Sequence, residues 1–472
     1  MSSARLREVP VGQYSLDGLR ACLTGERADR LDATGARWAA AMPTVWHVNS
    51  TSDGGGVAEM LRPILGYGHA LGIDVRWLVI EADTGFFTTT KRIDNGISGV
   101  AGDRGPLGVA QAEQFRRVSR DAAADLGRHV RPGDVVVLHD PQTAGLCEHV
   151  ADLGAIPVWR AHNGADRPNE HTVRSSAFLA PFLRRARGLV TTQPHFRDVV
   201  LAGGGGVPSA AITPFIDPMS AKNNALSQSQ ARSLLAGWGL LAGTGARDPG
   251  RVPGLLVVRE GAAPAPEVPM VVQVSRWDSV KDMAGVMDSF ARTVAPATDA
   301  YLSLIGPQVD GVADDPEAAE YFRRCLEHWN RLPDPVRSRV QLCCLPTADS
   351  AANARVVNAA QRHAAVVTQK SRSEGFGLTV TEALWKARPV VATRVGGITT
   401  QIPDARYGRA VALPDPDDHF GLSITELITS PETSRAIGAS ARERIRAHFL
   451  PDSHFHAELR FLGELVGLAV PA

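Results

Sequence analysis

A chain of 472 residues, 44% of them hydrophobic, can bury more apolar surface than one compact core needs, which predicts two domains. Its 50 basic and 50 acidic residues leave no formal net charge, which excludes attraction to a nucleic-acid backbone or an anionic membrane as the main mode of binding and favours a small-molecule partner. The start, MSSARLREVP, has no signal-type apolar stretch and no run approaches the length of a bilayer span, so a cytoplasmic protein without a membrane partner is expected.

Residues 43–81 read as an apolar strand (PTVWHVN), a turn (STSDGGG), a helix (VAEMLRPILGYGHALG) and a second strand (IDVRWLVIE). Residues 268–306 repeat that plan with VPMVVQVS, RWDSVKD, MAGVMDSFARTVA and AYLSLIG. Strand, loop, helix and strand in that order imply parallel sheet. With further strands at DVVVLHD and AAVVTQK, the pattern predicts two doubly wound α/β sheets in tandem. Between them, GTGARDPGRVPGLLVVREGAAPAPEVP is rich in Gly, Pro and Ala and reads as a linker or inserted loop. These features place an N-terminal domain with linker at 1–262, a C-terminal domain at 263–450, and a terminal helix at 451–472 packing back on the first domain. Ligands of such sheets bind beyond the carboxyl ends of the strands, so a cleft between two facing sheets is the expected site. The five cysteines, Cys22, Cys147, Cys325, Cys343 and Cys344, make no CxxC pair and are expected to be reduced thiols rather than zinc ligands. Lysine is scarce, five against 45 arginines, which makes each lysine worth inspection.

The stretch QKSRSEGFGLTVTEALWKARPVVATRVGG, residues 369–397, carries the densest chemistry. A strand ending near Lys370, a turn from Ser371 to Gly377 and a helix starting near Thr379 expose main-chain amides at the positive end of a helix dipole, an anion site suited to phosphate. Gly375 and Gly377 allow close backbone approach. Glu374 stands at the strand end and Glu382 one turn into the helix, where a carboxylate can accept two hydrogen bonds from a ribose diol. Each glutamate alone fits an ordinary loop or first-turn residue equally well.

The Glu374-to-Glu382 spacing resembles the donor signature of retaining glycosyltransferases of the GT-B architecture, two Rossmann-like domains facing a central cleft. HVNSTSDGGGVAEML, GIDVRWLVIE, HDPQT, FIDPMSAKN, QVSRWDSVKD and the 369–397 stretch resemble the nucleotide-sugar-dependent trehalose synthases, the trehalose glycosyltransferring synthases. The resemblance implies that a hexose moves, with retention, from a nucleoside diphosphate sugar to the anomeric hydroxyl of a sugar acceptor, giving an α,α-1,1 product. It implies catalytic roles for Glu374, for the phosphate-clamping Arg276 and Lys281, and for His162 beside the transferred sugar. Gly375, Phe376, Gly377, Leu378 and Glu382 become donor-binding, and Gly54, Gly55, Gly56 and Asp140 acceptor-binding. No carboxylate triplet or histidine cluster reads as a metal site, so no cofactor is expected and the cations would stand in for a metal. No second nucleophile stands out, which fits front-face transfer better than a glycosyl-enzyme.

The acceptor half departs from the family pattern: His162, Asn163 and Gly164 stand where HID is expected, and NEHTVRSSAFLAPFL lacks a tryptophan. An aminosugar or aminoglycoside-like acceptor of antibiotic biosynthesis is therefore an alternative, and a non-catalytic nucleotide-sugar sensor is one of another class. No nucleic-acid partner is expected, and a homodimer is left open.

Overall fold

The computed structural model describes residues 4–41, 43–52, 55–201, 206–309 and 316–470. The chain divides into two compact units, one made of residues 1–217 and 449–472 and the other of 218–448.

The first unit is built on seven strands: β1 (Arg5–Glu8), β2 (Val45–Asn49), β3 (Val75–Glu81), β4 (Val135–His139), β5 (Ile156–Ala161), β6 (Gly188–Thr191) and β7 (Ser209–Ala211). Their order across the sheet is β1-β3-β2-β4-β5-β6-β7. β1 pairs antiparallel with β3 and every other pair is parallel. All five residues of β2 and of β4 are buried, as strands covered by helices on both faces must be. The order reverses direction between β2 and β4, which is where such sheets open a crevice at their carboxyl edge.

The second unit repeats the design with β8 (Leu256–Val258), β9 (Met270–Val274), β10 (Tyr301–Pro307), β11 (Val340–Leu345), β12 (Val366–Gln369), β13 (Val390–Thr393) and β14 (Arg409–Val411). Leaving aside β8, the order β14-β13-β12-β9-β10-β11 is that of a dinucleotide-binding fold, with its switch point between β9 and β12. A core around Trp277, Met287, Phe290, Leu304, Leu342 and Phe420 packs against the sheet.

Two sequence expectations change here. The Gly/Pro-rich segment is not an interdomain linker: its LVV forms β8, pairing antiparallel with β11 at the edge of the second sheet. Arg259 fastens it further by donating to the Gly239 carbonyl at 2.6 Å. The division accordingly falls at Asp217 and Pro218 rather than near residue 262. Asp217 is fixed in the first unit, accepting a hydrogen bond from the Tyr67 hydroxyl at 2.9 Å. The chain returns beside that point, where the Ile216 amide donates to the Phe449 carbonyl at 3.1 Å. The helix Pro451–Val466 that follows is part of the first unit. Its Asp452 holds Arg27 through two bonds of 2.7 and 2.8 Å, and its Leu459 carbonyl accepts from Trp38 Nε1 at 3.1 Å. No described helix is long and apolar enough to cross a membrane.

Candidate active site

At the switch point of the second unit, β12 ends at Gln369 and the helix Leu378–Trp385 begins nine residues later in the sequence, after the turn that holds Glu374. Gly377 caps that helix at φ 88°, a conformation a side chain disfavours. The turn rests on the loop that follows β13. A Cβ on Gly396 would lie 1.6 Å from the Glu374 carbonyl oxygen, so only glycine lets the loop come this close. Gln401 then donates to the Phe376 carbonyl at 2.6 Å while its own oxygen accepts from Thr381.

The loop after β9 supplies the cation. Gln273 bridges the two strand ends, donating to the Lys281 carbonyl at 2.8 Å and accepting from the Lys370 amide at 3.0 Å. Lys281 Nζ thereby stands 2.5 Å from Glu374 Oε2, which also accepts from Ser371 Oγ at 3.1 Å. With 15% and 11% of their side chains exposed, these two groups are sheltered yet reachable. Arg276 does not join them: its side chain is 58% exposed and pairs with Asp278 at 3.1 Å. Glu382 is buried in the same helix, with Lys222 Nζ 3.7 Å from its Oε1. Among the described residues no group of three or more His, Cys, Asp or Glu is arranged to hold a metal ion, and the five cysteines are free.

At the switch point of the first unit, Asp140 follows β4 at φ 62°, a strained conformation for a residue with a side chain. The strain is held by neighbours: Asp140 Oδ1 accepts from the His162 amide at 2.9 Å and its carbonyl from Trp159 Nε1 at 3.0 Å. Burial, and then the charge of Asp94, push the Asp140 carboxyl well above the usual carboxylate range. Asp94 in turn accepts from Asn163 Nδ2 at 2.9 Å. His162 lies against His139, ring centroids 5.1 Å apart and nearly parallel. Burial first, and then the charge of Arg160, depress the basicity of His162 well below that of a free imidazole.

The arrangement therefore sets a helix start beside a lysine and a carboxylate in one unit, and in the other a neutral imidazole beside a carboxyl. Comparison with known proteins gives this chemistry a family. Residues 47–198 match the model "Trehalose synthase, N-terminal domain" and residues 352–444 match "Glycosyl transferases group 1". The trehalose synthase of Rubrobacter xylanophilus is 31% identical over 98% of this chain and 100% of its own length. The chain belongs to the trehalose synthase family. The family's Pyrococcus horikoshii trehalose synthase is 32% identical over 89% of this chain and 90% of its own. An α,α-trehalose-phosphate synthase (UDP-forming) from Burkholderia xenovorans, solved with glucose-6-phosphate, superposes with a TM-score of 0.65 over 90% of this chain and 100% of its own, at 13% identity. That likeness establishes the GT-B fold of two Rossmann-like domains.

Within this trehalose synthase-like chain, the structure brings together Lys281 and Glu374, sets Gly375, Phe376, Gly377 and Leu378 at one helix start, and seats His162 against Asp140. Gly54 lies outside the described residues. Gly55 and Gly56, expected in a loop, are the first residues of the helix Gly55–Ala70 and are exposed. The positive φ of Gly55, 77°, shows the chain turning as it enters the helix. Sequence reasoning missed Lys222, Gly396, His47 and His139. Only Lys222 had a signal, the scarcity of lysine: four of the five, Lys222, Lys281, Lys370 and Lys386, lie in the second unit, and Lys386 is buried with its amine on Gln361 Oε1 at 2.7 Å.

Proposed function

We propose that the protein is a retaining hexosyltransferase that moves a glucose-like unit from a nucleoside diphosphate sugar to the anomeric hydroxyl of a sugar acceptor, forming a non-reducing product of trehalose type. The observation that carries this reading is the Lys281–Glu374 pair beside the helix start at the β9/β12 switch point. A diphosphate placed at the main-chain amides meets the Lys281 ammonium where negative charge grows as the bond to the anomeric carbon breaks. Glu374 holds that ammonium in place before the donor arrives. Glu382 serves the ribose, with Lys222 fixing its carboxylate.

In the transfer itself, the bond from the anomeric carbon to the diphosphate oxygen breaks and the bond to the acceptor oxygen forms on the same face. The proton of the acceptor hydroxyl passes to the departing phosphate. No protein nucleophile is required, and the lysine and helix dipole take the part a metal plays elsewhere. Asp140 and His162 are assigned to sugar hydroxyls, whose positioning selects an anomeric hydroxyl rather than a ring hydroxyl for transfer.

The test is a panel of nucleoside diphosphate hexoses against glucose and aminosugar acceptors, read by mass spectrometry and then by NMR. Two acetal carbons, an α donor linkage and no free anomeric centre are expected. A β linkage, or an acceptor whose reducing end stays free, overturns the reading.

A further inference from the structure

Three imidazoles run in line across the carboxyl edge of the first sheet. His47 lies in β2, His139 ends β4 and His162 follows β5, and these strands are sheet neighbours that meet at the switch point. His47 Nδ1 is 3.0 Å from His139 Nε2, and His139 Nδ1 is 2.8 Å from His162 Nε2. His47 and His139 are each 1% exposed, whereas His162 is only partly buried.

A neutral imidazole carries one N–H and one bare nitrogen. His139 uses both of its nitrogens in these contacts, so both bonds form only when every N–H points the same way along the line. In one register His47 donates to His139, His139 donates to His162, and the proton of His162 sits on Nδ1. In the other, His162 Nε2–H donates to His139 Nδ1 and His139 Nε2–H donates to His47 Nδ1, which leaves His162 Nδ1 as a bare acceptor. The buried end of the line thus decides what the partly exposed end offers a ligand.

Fixed charges choose the register. Arg160 and Glu458 form a buried pair at 2.8 Å. Among the charges acting on His47, Glu458 is the strongest and favours a proton there; among those acting on His162, Arg160 is the strongest and repels one. His454 stands by the same pair, 3.3 Å from Arg160, with its Nδ1 2.7 Å from the Thr213 carbonyl. At the other end Asp140 is occupied by the His162 main-chain amide. Every ring keeps one proton in either register, so these charges bias the direction of the N–H dipoles: a carboxylate felt most at His47 and a guanidinium felt most at His162 point them towards His47.

We propose that His139 and His47 are positioning residues that lock His162 as the Nε2–H tautomer, so that its Nδ1 accepts a hydrogen bond from a hydroxyl of a bound hexose. The hexose rests on the glycosyltransferase reading above; the tautomer lock does not. A hydroxyl that donates to Nδ1 is held in one direction and its oxygen becomes richer in electrons, which favours the electron-poor anomeric centre of the transferring sugar. Burial keeps the line neutral, holding His47 down to about 4 and His139 well below the usual histidine range.

The experiment is nitrogen NMR of the full chain labelled at histidine, with transfer kinetics on the same variants. In the wild type, His162 Nε2 is expected to be protonated and Nδ1 bare across about pH 6 to 8, the range in which a free imidazole would titrate. Adding uridine or adenosine diphosphate glucose should shift Nδ1 without protonating it. His139→Phe keeps a ring but no nitrogen; His162 should then populate both tautomers, and kcat should fall about tenfold, the scale of one hydrogen bond, with donor KM nearly unchanged. His47→Phe should do the same more weakly. A protonated Nδ1 in the wild type, or one tautomer and unchanged kcat in a folded His139→Phe variant, overturns the proposal. If no donor is turned over and neither nucleotide sugar shifts Nδ1, the hexose contact fails along with the function, while a bare Nδ1 would still establish the lock.

Discussion

At the switch point of the second unit the facing groups come from two short segments, 273–281 and 369–382, with the supporting Gly396 a few residues on. In the first unit they come from residues 47, 139–140, 160–162 and 454–458, brought together by strand ends and by the C-terminal helix. The two sheets share a design but differ in how a charge is stabilised. The second unit leaves a cation and a carboxylate partly open to a ligand. The first sinks Arg160 and Glu458 to 2% and 5% side-chain exposure and sets the imidazole of His454 against both. On the proposed function, the reachable pair meets a multiply charged donor, whereas the buried pair stands beside groups that orient neutral sugars.

The sharpest way to expose that difference is pH. His47, His139 and His162 are held neutral by burial, so below about 6.5 the unfolded chain binds more protons than the folded one. Stability is then present above that value and falls as pH drops towards about 4, the value for His47. The slope is roughly 1.4 kcal/mol per pH unit for each group in its window, so several kcal/mol are at stake. Asp140, raised by burial, opposes this, one carboxyl against three imidazoles. Urea midpoints at about pH 7 and 5 check the slope; a flat result would mean the line is charged when folded. Next in size, Glu458→Leu leaves Arg160 buried without its carboxylate and should destabilise by about 3–5 kcal/mol, while the double variant Arg160→Met with Glu458→Leu should recover most of that. Equal losses in the single and double variants would show that packing, not charge, holds the first unit.

How much of this was legible follows from the same contrast. The repeats at 43–81 and 268–306 announced themselves because strand, turn and helix are local patterns; β2, β3 and β9 lie within them and β10 runs one residue past the second. The turn at Glu374 was legible for the same reason: the strand end, the turn and the helix start are consecutive in sequence. β8 was not, because a run of four apolar residues between Gly254 and Arg259 carries too short a period, and its edge pairing with β11 is a tertiary fact. The crossing at Asp217 was hidden too, since its anchor is Tyr67, 150 positions away. His47 and His139 sit in runs that read simply as buried strand, and the contact between them spans 92 positions. Nothing at that distance leaves a mark on one sequence.

In the second unit the expected losses are kinetic. Lys281→Ala should lower kcat by roughly 100-fold or more with the fold intact, because an ammonium aimed at the leaving diphosphate acts mainly in the transition state. Wild-type kinetics in the folded variant would remove Lys281 from the mechanism. Glu382→Ala should instead raise donor KM about tenfold and leave kcat within a few-fold, because the ribose contact proposed for it is remote from the bond that breaks. The opposite split, kcat falling at constant KM, would assign Glu382 to the chemistry and upset the division of labour along this helix.

The smallest expected effect is that of chelation. If diphosphate charge is met by Lys281 and the amides at Leu378 and its neighbours, a divalent ion has nothing left to neutralise there. The carboxylate nearest that charge, Glu374, already has an ammonium 2.5 Å away, and replacing a fixed ammonium by a hydrated ion would require that pair to open. On the proposed mechanism, in which the protein's own charges stabilise the leaving group, excess EDTA should leave the initial rate of transfer within about twofold of its untreated value. Loss of turnover on chelation, restored by magnesium or manganese, would mean that Glu374 gives up Lys281 to a metal when the donor binds. It would also make the second unit, rather than the first, the one whose charges rearrange.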